Sequence, residues 1–242
     1  MAEGVNTINA VVLVNEFNVT TLLREVELSA EVATADNTTL GQSARSRQVT
    51  FRDGGLQIGG LFTRAAGELF DALKNALGSA APHVATLFPE GAALGYPAAL
   101  CYANETRFDD SLRYDDLVNV SAYLEAADDA VDFGVVLQAL SAVTATGNGA
   151  GVDNGASTAN GGVGVLHTTA IAGAAPSVAW KIQHSTDNST WADLVTFTAA
   201  TAAGKERVEV AAGTTVNRYL RAVRTFGGTT TSITSAVAFA RR

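Results

Sequence analysis

Residues 177–194 read "SVAWKIQHSTDNSTWADL". Val178, Trp180 and Ile182 fall on one side of an extended chain, and Lys181 and Gln183 on the other. That is the period of two of a half-buried β-strand. The polar run "STDNST" follows. Asp187 and Asn188 tolerate tight-turn backbone and the Ser and Thr hydroxyls satisfy free backbone groups, so the chain is expected to reverse between a strand ending near His184 and one starting near Leu194. Trp191 would then be an apolar lid over the end of the sheet. The same residue types invite a catalytic or binding reading, but turn chemistry accounts for each of them. A Ser-x-Asp-x-Gly-x-Thr-Trp turn of the propeller type does not fit, because Trp191 comes one residue early and Ser189 stands where glycine would be.

The pattern extends through the rest of the C-terminal region. "KERVEVA" alternates, "VNRYLRAVRTF" is rich in strand formers, and "ITSAVAFARR" puts Ile233, Val237 and Phe239 on one face. "AAGKE", "AAGTT" and "FGGTT" supply the turns between them. Residues 163–242 are therefore expected to form a small antiparallel β-sandwich. Before it, residues 146–162 are crowded with Gly, Asn, Ala and small hydroxyls, the composition of a flexible connection. Gly147, Gly149 and Gly151 do not have the spacing of a nucleotide-binding loop, and no lysine follows.

Upstream, "EVELSAEV" (25–32) sets Val26, Leu28 and Ala30 against Glu25, Glu27, Ser29 and Glu31, and "LVNVSAYLEA" (117–126) aligns Val118, Val120, Ala122 and Leu124. Both predict strands with one wet face. "TRAAGELFDALKNALG" (63–78) instead repeats apolar residues at three and four: Ala66, Leu69, Phe70, Leu73 and Leu77. With Thr63 as cap and Gly78 as stop, it predicts an amphipathic helix over 64–77. The fold class is thus mainly β: an antiparallel β-sandwich or barrel with one amphipathic α-helix over residues 1–145, then a second small β-sandwich.

Charge separates the two regions. The net charge is −8, made of 19 acidic and 8 basic residues over 1–145 and of 5 acidic and 8 basic over 146–242. Chemistry is poorly supplied. Cys101 is alone, which excludes an internal disulfide and a thiolate metal cage. His83, His167 and His184 lack ligand spacing, so a satisfied or surface imidazole is expected at each and no metal. "FDDSLRYDD" (108–116) has neither calcium-loop spacing nor an uninterrupted acid pair, and reads as a solvated acidic loop. No G-x-S-x-G is present, so no catalytic residue, enzyme activity or cofactor is expected. The absence of a basic flank with an apolar run, and of a stretch of about 18 apolar residues, predicts a cytoplasmic chain with no membrane partner.

Four stretches, "VDNGASTANGGVGVLH" (152–167), "WKIQHSTDNSTWADLVTF" (180–197), "ERVEVAAGTTVNRYLRAV" (206–223) and "AVAFAR" (236–241), resemble the C-terminal portion of tail proteins of long non-contractile-tailed, siphovirus-like phages. The resemblance covers roughly 150–242; the first half is similar in layout only. It implies a major tail tube protein: a β-sandwich subunit that forms rings, usually of six, stacked into a tube through which DNA passes without specific binding. It also implies other copies of the chain and other tail proteins as partners, assembly in the host bacterial cytoplasm, and residence in the virion tail.

Two sets of residues follow as expectations. The long segments 32–48 and 79–98 are read as mating loops, with Leu87, Phe88 and Tyr96 at a subunit interface. Asp109, Asp110, Asp115 and Asp116 are read as the acidic lining of the lumen, where like charge keeps phosphates off the wall. The alternative is a capsid decoration or glycan- and receptor-binding sandwich that presents Trp191, Tyr219 and Arg221.

Overall fold

Val178, Trp180 and Ile182 are all fully buried, and Lys181 and Gln183 are not, as the alternation requires. They belong to β11 (Gly162–Ser185), which pairs along its whole length with β14 (Tyr219–Arg241) in one antiparallel ribbon. Register shifts at Thr168, Ala172 and Gly173 interrupt the ribbon in its middle. Gly173 (φ 143°) and Gly228 (φ 58°) hold backbone there that other residues rarely adopt. The ribbon therefore serves two cores. Its outer half packs Val178, Trp180, Ile182 and Leu220 with Val195 and Phe197 of the segment beginning at β12 (Ala192–Thr196). Its inner half pairs with β13 (Gly204–Val210) and β8 (Asp132–Val143).

The structure, a computed structural model, describes residues 9–63, 65, 68–74, 77–112, 117–127 and 131–242. Among these the strands form one hydrogen-bonded antiparallel sheet. β6 (Pro97–Ser111) is its branch point. The first half of β6 lies between β8 and β5 (His83–Phe88), and β5 continues the sheet to β1 (Val11–Val14) and β2 (Phe17–Asn18). The second half of β6 turns away to pair with β7 (Asn119–Ala126), which leads to β4 (Arg47–Leu61) and the edge strand β3 (Leu23–Asp36). Leu56, Ile58, Val120 and Leu124 of this wall pack against Val12, Val14 and Ala85.

Residues 83–88 make a strand where a loop was expected. The cause is burial on both faces: Ala85 faces the core under β4 and β7, while Val84 and Phe88 join Leu13, Val163, Val165, Ala236 and Ala238 on the other side. Such a strand is a continuous apolar run and does not alternate. The second of these cores takes side chains from both sides of residues 146–162. That connection is itself woven in, because β9 (Gly147–Asn148) and β10 (Val152–Asp153) pair with β14. The helix is shorter than its pattern. Among the described residues α1 covers Leu69–Leu73, with Leu69, Ala72 and Leu73 buried, whereas Leu77 is exposed. Residues 64, 66, 67, 75 and 76 of the expected helix lie outside those described.

Polar groups cross the doubly buried layer only as a closed set. Asn15, held at φ 55°, accepts from the Val84 N–H at 3.1 Å and donates through Nδ2 to His83 Nδ1 at 2.8 Å. His167 Nδ1 donates to the Asn15 carbonyl at 2.6 Å, so Nε2 is the acceptor and the Thr86 hydroxyl donates to it at 2.8 Å. Burial lowers the His167 pKa to about 4 from an ordinary 6.5. The neutral ring thus stabilises the fold above pH 6.5, and this contribution is lost as pH falls from 6.5 toward 4. The stability advantage of the native chain over His167→Gln is expected to shrink about tenfold per pH unit across that window. Denaturant titrations of both proteins measure it, and a pH-independent gap would show that the ring carries no such load.

Candidate functional site

The pleat of β3 turns Glu25, Glu27, Ser29 and Glu31 outward, and antiparallel register extends that face across the wall. Glu27 lies beside Gln57, then Tyr123, then Arg107. Glu31 lies beside Asp53, Ser29 beside Gly55 and then Glu125, and Glu25 beside Gly59, Ser121 and then Asp109. Six carboxylates thus share the face: Glu25, Glu27, Glu31, Asp53, Glu125 and Asp109. A shallow depression of about 600 Å³ opens between Glu27, Glu31, Asp53 and Glu125 over Gly54 and Gly55. Arg107 is the one cation in these rows, and it is already engaged by Asp109 at 2.7 Å and by the Tyr123 ring at 5.1 Å. The face is a field, not a reaction centre. Among the described residues no group of acidic, His or Cys side chains is placed to hold a metal ion.

Asp109 therefore joins a larger acidic surface than the cluster expected from sequence. It lies on β6, in a strand and not a loop, and Asp110 takes the opposite pleat. Asp115 and Asp116 lie outside the described residues. The three glutamates of β3 were readable as a charged face from their alternation. Asp53 and Glu125 join them through register alone, which no local pattern reveals.

Residues 32–48, expected to be a loop, form one over 37–46, while 32–36 and 47–48 are the outer arms of the long β3–β4 hairpin. Its core-facing pleat runs Val26, Leu28, Ala30, Val32 on β3, and on β4 it continues to Val49, whose partner is Thr34. Val26 and Leu28 pack on the core, but Val32 is 51% and Val49 63% exposed. Leu40 at the tip and Phe51 are exposed too. Near the hairpin base, a groove of about 690 Å³ runs between the free edge of β3 and β1, lined by Val12, Leu23, Val26, Leu28, Leu87 and Pro89.

The expected interface residues lie in different surroundings. Leu87 is half-buried and lines this groove. Phe88 is fully buried within the chain, so it is a core residue and cannot meet a neighbour. Tyr96 is 44% exposed on the turn before β6, beside exposed Leu94.

The "STDNST" segment is a turn. Asp187 Oδ1 accepts from the Ser189 and Thr190 N–H groups at 2.9 and 2.8 Å and from the Ser185 hydroxyl at 2.8 Å, with Asn188 at φ 58°. The backbone N–H groups of Thr190 and Ser189 hold its carboxyl well below the usual carboxylate range. Trp191 caps the sheet end with the Arg221 guanidinium 4.2 Å from its ring, and Arg221 is fixed to Gln183 Oε1. Arg218 covers Tyr219 in the same way at 5.0 Å. One face of each ring is thus taken up inside the chain, which leaves a poor stacking platform for a sugar.

No family model matches the chain, and no curated protein does. Several solved structures show a partial structural likeness, each with a TM-score below 0.5. A chain from the tail of an empty gene transfer agent particle, refined with C6 symmetry, is 13% identical with a TM-score of 0.39, over 49% of this chain and 92% of that one. One from the sheath-tube complex of the PVC extracellular contractile injection system is 15% identical with a TM-score of 0.41, over 55% and 93%. The SPP1 Dit protein, a hub of the adsorption apparatus in phages that infect Gram-positive bacteria, is 13% identical with a TM-score of 0.36, over 96% and 98%.

If the wall face acts through its charge, the native chain will not retain duplex DNA, whereas Glu27→Lys with Glu31→Lys is expected to bind it weakly and to release it as salt rises from about 50 to about 200 mM. Filter binding measures this. Equal retention by both proteins would show that the face does not govern contact with phosphate.

Proposed function

We propose that the chain is a structural subunit of a phage-type tail tube, assembling with copies of itself into stacked rings, six to a ring, that conduct DNA. The observation that carries this reading is the apolar pleat that overruns the body: Val32 and Val49 continue the core-facing rows of β3 and β4 past the point where the chain has anything to cover them. An unpaired strand edge beside an apolar groove is a template for another chain, and here both lie on β3. A second copy that supplies apolar side chains to this edge completes what one chain leaves open. The resemblance of residues 150–242 to tail proteins points to the same assembly.

The acidic wall takes the lumen side in this reading. DNA presents about one charge per 1.7 Å of helix axis and would stall on a basic surface. A face with six carboxylates, with Arg107 paired to Asp109 and Arg24 only at the Asn119 end, repels it. Capsid decoration or glycan binding has less support, since Trp191 and Tyr219 are each covered by an arginine of the same chain.

Val32→Ser with Val49→Ser tests the interface. Both side chains are exposed in the single chain, so thermal unfolding of the isolated subunit is expected to change little. Assembly is expected to fail, because full burial of such a side chain contributes about 1.5–3 kcal/mol and the contact repeats at every subunit. Sedimentation velocity and negative-stain microscopy read the outcome. Rings or tubes of native length from the double variant would remove the hairpin face from the interface.

A further inference from the structure

The core-facing side of the wall carries one residue that does not belong to an apolar row. Leu28 pairs with Leu56, Leu56 with Leu124, and Leu124 with Glu105 of β6. Glu105 thus occupies the fourth place in a row of leucines, on the same side of β6 as buried Cys101 and Ala103. Glu105 is 4% exposed, and among the described residues neither carboxyl oxygen has a hydrogen-bond partner. Buried carboxylates are almost always paired, because an isolated charge in an apolar medium costs several kcal/mol or more. A neutral carboxylic acid is tolerated there; a carboxylate is not.

Among the described residues the surrounding elements bring no countercharge to it. β7 contributes Leu124 and Ala122, β4 contributes Leu56 and Ile58, and β1 contributes Val12 and Val14. Arg107, two residues on, lies across a register shift and is bound to Asp109 on the outer face. Glu125 lies on that outer face too. Arg52, on the core-facing pleat of β4, is engaged by the Val131 carbonyl and by Asp132, and Asp132 is also held by Arg242. Asp71 and Lys74 of the α1 region pair with each other. His83, opposite Ala103 on β5, is bonded to Asn15.

We propose that Glu105 is a proton-operated latch in the β3–β4–β7–β6 wall: as the neutral acid it lets β6 and β7 close over the leucine row, and on losing its proton it opens that corner of the sheet. The register shift between Glu105 and Arg107 places the weak point of the β6–β7 ladder beside the charge that would form. Burial raises the Glu105 pKa from 4.5 to about 7, so opening falls near neutral pH. A carboxyl with a raised folded-state value stabilises the fold fully below 4.5, and that contribution declines up to about 7.

The test compares the full chain with Glu105→Gln, which keeps the shape and cannot ionise. Relative to this variant, the native chain is expected to lose stability about tenfold per pH unit between 4.5 and 7, about two orders of magnitude in all, and to change no further above 7. A pH-independent difference would overturn the proposal. Amide hydrogen exchange of the native chain gives a second reading that does not depend on the variant folding. After correction for intrinsic rates, amides of residues 103–107 and 121–125 should exchange faster at pH 8 than at pH 5, while those of the β11–β14 ribbon should not. Equal protection at the two pH values overturns the latch as surely.

Discussion

Everything in this chain is arranged around a layer of strands buried on both faces. β1, β5 and the first half of β6 have apolar side chains packed above and below, so most of their side chains are shut off from water, with Leu87 half-buried at the groove and Pro97 exposed at the start of β6. Such a layer accepts polar groups only in closed sets, because an unmade hydrogen bond there costs about 1–3 kcal/mol. Asn15, His83, Thr86 and His167 are joined in one such set, which links the β1–β2 turn to β5 and to a strand far along the sequence. It ties the acidic first half to the C-terminal ribbon, and one core spans the Gly- and Asn-rich segment between them.

That constraint explains what could be read from the sequence. Strands with one wet face were legible, since Val178, Trp180 and Ile182, or the glutamates of β3, alternate with residues of opposite character. The Asp187 turn was legible because each residue has a local task. Residues 83–88 were not, because burial on both faces erases alternation. Phe88 looked like a loop hydrophobe in need of a partner when its partners were Leu13 and Val163. The outer hairpin arms were missed for the opposite reason: beyond the body there is no core to impose a pattern. On the acidic face, Glu25, Glu27 and Glu31 were visible as a set, whereas Asp53 and Glu125 were brought to them by register over long sequence distances.

Two buried titrating groups act on this fold in opposite directions. Protonation of His167 opposes folding below pH 6.5, and ionisation of Glu105 opposes it as pH rises toward 7. Between about 4.5 and 6.5 these two contributions run in opposite directions and nearly cancel each other. Glu105 lies directly behind the sheet whose outer face carries the carboxylates. The same four strands thus hold an acidic surface, a proton-sensitive core position and, on the extended hairpin, an apolar pleat that a single chain leaves bare.

The most direct measurement of this account is a cryo-electron microscopy reconstruction of the purified chain under assembly conditions. The account requires rings or a tube in which the β3–β4–β7–β6 face is turned to the axis and Val32 and Val49 are covered by a neighbouring copy. Dispersed single subunits, or an assembly that turns the six carboxylates outward and leaves the hairpin pleat in solvent, would contradict it.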